Sequence, residues 1–201
     1  MLRGVKALLA LAFVVAGCTG SVDGTSTGGG DDQMAMPDAG PSVPTPIARG
    51  QLWVDAKVPY CQAANHERDY DSACASTCER PDNPEWDPYR SDCSGFVSWA
   101  WELPAPGHVT STFAPFDMSI TNVIDAMDLM PGDAVNNSDH IMLFKEWTTP
   151  GEEATFMEEP GCSSSEPYAR AFTAKVTIDK TSISVSGHGT FTAIRYPDAP
   201  T

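Results

Sequence analysis

The chain of 201 residues sets 12 Lys and Arg against 27 Asp and Glu, a formal net charge of −15. Without any basic cluster, that balance argues against nucleic acid as a partner and suits a role in solubility. Removing Arg3 and Lys6 with a leader leaves 10 basic residues against 27 acidic, so the mature chain stands at −17.

In chain order, residues 1–17 carry Arg3 and Lys6 and then an apolar run from Ala7 to Ala16. The run is too short to span a bilayer and has the form of a signal peptide. Its end, Val15-Ala16-Gly17-Cys18, resembles a bacterial lipobox, which implies that Cys18 is lipidated and becomes the first mature residue. An acylated N-terminus anchors a protein without spanning the membrane. From Thr19 to Arg49 the composition is Gly, Ser, Thr, Pro and Asp with no aromatic residue, too little apolar area to fold. Residues 18–49 are therefore expected to be a tether, with an r.m.s. reach of about 30 Å at ~5–6 Å × √n.

Residues 50–197 are the size of one domain. A helix is predicted from about Ser91 or Asp92, either of which can cap it, to near Glu102. Phe96, Val97, Ala100 and Trp101 recur on one face of a 3.6-residue period, so one side is expected to be buried. Cys93 then stands in the first turn, where aligned backbone N–H dipoles favour a nucleophilic sulfur. Its bland alternative is a small buried hydrophobe. The Pro- and Thr-rich segment from Ala105 to Phe116 is expected to be a loop over the cleft.

Leu129-Met130-Pro131-Gly132-Asp133-Ala134-Val135, the polar turn Asn136-Asn137-Ser138-Asp139, and His140-Ile141-Met142-Leu143-Phe144 read as strand, tight turn, strand. His140 opens the second strand and is expected to share a face with Met142 and Phe144, with Ile141 and Leu143 opposite. After a turn at Thr148-Thr149-Pro150-Gly151 comes the strand Ala154-Thr155-Phe156-Met157-Glu158-Glu159. Phe191-Thr192-Ala193-Ile194-Arg195-Tyr196 closes the sheet.

These segments resemble the NlpC family of papain-like cell-wall cysteine peptidases. Asp92-Cys93-Ser94-Gly95-Phe96-Val97 matches the family's nucleophile motif, and Leu129 to Phe144 matches its second motif, a Leu-x-Pro-Gly-Asp strand followed by His and an aliphatic run. Val58-Pro59-Tyr60 matches a weaker Pro-Tyr element, and the closing strand resembles the family's last strand. The resemblance covers roughly residues 50–197. It implies Cys93 as nucleophile, His140 as its base, and Tyr60, Asp92 and Ser94 as substrate-binding residues. Where the family reaches its cysteine soon after the Tyr, this chain inserts the stretch Cys61 to Tyr89.

Many members orient the histidine with a second His, Asn or Gln on the next strand; here that strand offers two carboxylates. The related cysteine, histidine-dependent amidohydrolase/peptidase group often has a Glu there, and Phe156-Met157-Glu158 fits its pattern. A Glu can fix the tautomer and stabilise imidazolium. Glu158 is favoured over Glu159, since a one-residue slip of register exchanges their faces. On the bland reading both are solvated edge-strand charges, and for one of the two that is expected to hold.

Of six cysteines, Cys61, Cys74, Cys78 and Cys162 remain after Cys18 and Cys93, an even number in an exported protein. Two disulfides are the default, with three connectivities open. In each, Cys162 pairs within the insertion and staples it beside the site as a wall or lid. A zinc site from Cys61, His66, Cys74 and Cys78 is the rival, but it lacks a close C-x-x-C pair and leaves Cys162 unpaired. No metal or cofactor is expected.

The expected fold is α+β, papain-like, with the nucleophile helix packed on an antiparallel sheet from near Leu129 to near Tyr196. The expected function is a lipid-anchored hydrolase of the bacterial cell envelope, at the outer membrane facing the periplasm or cell surface, acting as a monomer on peptidoglycan stem peptides. An N-acetylmuramoyl-L-alanine amidase and a non-catalytic peptidoglycan-binding lipoprotein are the alternatives. Retention of both Cys93 and His140 favours an enzyme over a binder.

Overall fold

The computed structural model describes residues 45–63 and 83–199. The leader, Cys18, most of the tether, His66, Cys74 and Cys78 lie outside the described residues.

Helix α1 spans Pro46–Ala56. Thr45 caps it by accepting from the Ala48 N–H, Pro46 supplies the first-turn φ, and Lys57 ends it in the left-handed region. The helix thus begins within the stretch expected to be tether, on a Thr-Pro start signal. Helix α2 spans Cys93–Ala100 with Asp92 as its cap. It is not buried on one side only. Every residue from Ser94 to Ala100 is buried, because the segment after it folds back over its outer face.

Seven strands follow: β1 Asn122–Val123, β2 Ala134–Asn136, β3 Ile141–Thr149, β4 Glu153–Glu158, β5 Arg170–Asp179, β6 Ser182–Val185 and β7 Gly189–Arg195. All pair antiparallel. The order β7-β2-β3-β4-β5-β6 closes on itself through β6–β7 pairing, from Ser182 opposite Thr192 to Val185 opposite Gly189. β1 adds two residues to the same edge of β7, beyond β6.

The expectation of a papain-like α+β fold is therefore corrected. Six of the seven strands form a closed antiparallel barrel, and only two short α-helices accompany it among the described residues. The physical reason lies in β7, whose one edge takes β2 and whose other takes β6. Closure removes the free edges an open sheet would keep. It depends on pairings between residues far apart in sequence, which no local periodicity reports.

Strand alternation divides the apolar residues in two. Met142, Phe144, Phe156, Ile183, Phe191 and Ala193 fill the barrel. Ile141, Leu143, Met157 and Ile194 face outward and join Trp53 of α1 and Phe96 and Val97 of α2 in a second cluster. This gives β3 two buried faces in its first half, hence its continuous apolar run.

Both segments expected to be loops over the cleft contribute described residues to the core. Trp86, near the end of the insertion, is buried against Trp53 and Trp99. Phe113 and Ala114 are fully buried, with Phe113 edge-on to Trp101. The strand expected from Leu129 starts only at Ala134. Before it, Gly132 turns the chain at φ 98° and gives its carbonyl to Trp101 Nε1, while Asp133 is clamped by Arg195 at 2.7 and 2.8 Å.

Candidate active site

The nucleophile loop is built backwards from its glycine. A Cβ on Gly95 would lie 1.9 Å from the Arg90 carbonyl oxygen, so no other residue fits without moving the backbone. Asp92 spends its carboxylate locally: Oδ1 accepts from the Gly95 N–H at 2.7 Å and the Ser94 hydroxyl at 3.0 Å, Oδ2 from Arg90 Nε at 2.9 Å. Asp92 and Ser94 therefore build the start of α2. Ser94 is buried, and Ser91 donates to the Pro59 carbonyl. Cys93 is half-buried and is the free cysteine among the described residues.

His140 sits at the end of the polar turn. Asn137 Oδ1 accepts from its N–H at 2.8 Å, and its carbonyl accepts from the Asn137 N–H at 3.0 Å. The turn is strapped from outside by the 105–116 segment, where Asn136 Nδ2 donates to the carbonyls of Thr110 and Ala114 and the Thr110 hydroxyl to that of Ser138. The imidazole lies edge-on to Phe191 at the barrel mouth.

From there it bridges two partners. Its Nε2 donates to Glu158 Oε2 at 2.7 Å, and the imidazole interacts electrostatically with the Cys93 side chain. Burial opposes a charged imidazole, but hydrogen bonding and attraction from Cys93, then Glu158, outweigh it and raise His140 to about 9. Burial likewise opposes the Glu158 carboxylate; the His140 hydrogen bond and charge, followed by Arg170 and His188, lower it to about 2. Both directions favour imidazolium beside carboxylate.

Register decides which glutamate meets the histidine. Leu143 pairs with Met157 and Phe144 with Phe156, so Glu158 follows Phe156 onto the inner face at the barrel mouth. The reading of both glutamates as solvated edge charges is corrected. β4 lies between β3 and β5, and Glu158 and Glu159 are 1% and 0% exposed.

Two residues at this end have no counterpart in the sequence reading. Arg170 faces Glu158 across the β4–β5 ladder and donates to Oε1 through Nε at 2.9 Å and Nη2 at 2.7 Å. His188, in the β6–β7 turn, places Nε2 3.5 Å from the same oxygen and stacks on Phe172 at 4.2 Å. An Arg on a strand is a weak signal until its cross-strand partner is known.

Tyr60 is buried in a short segment tied at both ends. Pro59 bridges Tyr168, two residues before Arg170; Cys61 bridges Ser91, two residues before Cys93. The Tyr60 hydroxyl accepts from Gln62 Nε2 at 3.0 Å. Cys61 and Cys162 are each disulfide-bonded.

Compared with known proteins, the chain matches no family model, no curated protein and no solved structure.

Proposed function

We propose that this protein is a thiol hydrolase in which Cys93 is the nucleophile, His140 the general base and acid, and Glu158 the residue that orients and charges the imidazole. The observation that carries the reading is the 2.7 Å His140–Glu158 hydrogen bond, on an imidazole that is raised to about 9 by its interactions with Cys93 and Glu158. A nucleophile coupled to a base, and a base held by an orienting carboxylate, are the working parts of acyl transfer.

The Cys93 proton passes to His140 and the sulfur attacks a carbonyl carbon. The N–H groups of Cys93 and Ser94 at the open end of α2 face the resulting oxyanion. As the tetrahedral intermediate collapses, His140 returns the proton to the departing amine, leaving a thioester. His140 then deprotonates a water, which attacks the thioester carbonyl and releases a carboxylic acid and the thiol.

The substrate class rests on the resemblance of Asp92 to Val97 and Leu129 to Phe144 to the NlpC motifs, which implies an amide of peptidoglycan stem peptides. With the lipobox-like Val15 to Cys18, this makes the protein a lipid-anchored enzyme of the bacterial cell envelope. The test is incubation of the protein with purified peptidoglycan and mass analysis of the released fragments. New amine and carboxyl termini within stem peptides are the expected result. Release of whole stems from the sugar would make it an amidase, and retention of polymer without cleavage a binder.

A further inference from the structure

We propose that Arg170 is a positioning residue of this site, acting through Glu158: it commits one carboxylate oxygen to itself and leaves the other directed at His140. The proposal rests on the reading of Cys93 and His140 as the reacting pair, and adds the group that makes Glu158 usable.

Glu158 is 1% exposed, where an ionised carboxylate with a single partner is costly and a flexible one finds several rotamers. Its oxygens are divided. Oε2 belongs to His140, and Oε1 receives Arg170 Nε and Nη2. Two N–H groups of one planar guanidinium fix the carboxylate in position as well as in charge. Arg170 is itself set by register opposite Glu158, by its place over the Phe172 ring, and by Glu166 at 3.8 Å on its outer side. The groups that bear on Glu158 are thus His140 from the head of β3, Arg170 from β5 and His188 from the β6–β7 turn. Of these, Arg170 alone contributes two hydrogen bonds.

The experiment compares Arg170→Gln and Arg170→Lys with the parent in two readouts. In the first, the carboxyl carbon of Glu158 is titrated by NMR. Gln should move its midpoint upward by a unit or more and Lys should recover most of the difference; an unmoved midpoint in the Gln variant overturns the proposal. In the second, peptidoglycan hydrolysis by Arg170→Gln should show kcat lower by on the order of ten- to a hundredfold, as for outer partners of metal-bound histidines, with KM nearly unchanged. In a Glu158→Gln background the same substitution should cost nothing further, and a full additional loss there overturns action through Glu158. A parent inert toward peptidoglycan would defeat the functional reading, while the carboxyl titration would still decide the role of Arg170. Should Arg170→Gln not fold, the Arg170 Nε–H of the parent is followed instead. Slow solvent exchange that Glu158→Gln abolishes supports the proposal, and rapid exchange in the parent overturns it.

Discussion

His140 immediately precedes β3 and Glu158 ends the neighbouring strand β4, and the two meet at the barrel mouth with Oε2 2.7 Å from Nε2. The contact is possible because β3 begins immediately after the histidine and β4 ends at the glutamate.

Cys93 is the free cysteine among the described residues and is half-buried at the opening of α2. Iodoacetamide should label it in the non-reduced protein and abolish hydrolysis. Cys93→Ser should be folded and inactive, read by fragment release from peptidoglycan. Full activity in that variant would end the thiol mechanism.

Glu158→Gln removes the charge that helps hold His140 at about 9. Turnover should fall with substrate affinity little changed, the orienting loss in a related triad, on the order of 10⁴-fold, being an upper guide. The His140 midpoint should fall by NMR in Glu158→Gln and stay in place in Glu159→Gln, which lies one position past the strand. An effect confined to Glu159→Gln would transfer the role.

The His140–Glu158 pair gives stability a defined pH window. His140 is raised from 6.5 to about 9, so its contribution is complete below 6.5 and is lost as pH rises through about 9. Glu158 is lowered from 4.5 to about 2, so its contribution is complete above 4.5 and is lost as pH falls through about 2. Thermal unfolding midpoints should therefore be highest between pH 4.5 and 6.5 as far as this pair is concerned, and His140→Gln should flatten both flanks. Unchanged flanks would mean that other groups set the profile.

Gly95→Ala should be severe, because its Cβ would fall 1.9 Å from the Arg90 carbonyl oxygen, a backbone atom that cannot swing aside. Overpacking of this kind costs on the order of 1–3 kcal/mol or more, and relief would shift the cap that presents Cys93. Urea unfolding should show the loss, and Cys93 alkylation should slow in whatever fraction remains folded.

The anchor is tested at Cys18. If Val15 to Cys18 is processed as a lipobox, Cys18→Ala should leave the protein in the aqueous phase of a detergent partition, whereas the parent enters the detergent phase. Equal partition of both would remove the lipid anchor.

Much of the site was legible because its signals are local. A cap followed by an apolar period places Cys93 at a helix start, and Asp92 is indeed the residue that accepts from Gly95. Alternation puts Met142 and Phe144 inside the barrel and Ile141 and Leu143 against the helices. The Thr45-Pro46 start was equally local but was hidden by the low-complexity stretch before it.

What the chain determines by itself is the chemistry each segment can offer: a thiol at a helix opening, an imidazole beside a tight turn, two adjacent carboxylates on a strand. Which carboxylate meets the imidazole, and which groups flank it, only the tertiary structure decides. The β3–β4 register brings Glu158 to His140, and the β4–β5 register brings Arg170 to Glu158. Barrel closure through β6 and β7 buries Phe191 beside His140 and carries His188 within 3.5 Å of Glu158. Local patterns arise from neighbours within a turn or two of chain, whereas these pairings join residues whose proximity is fixed only when the last strand closes on the first.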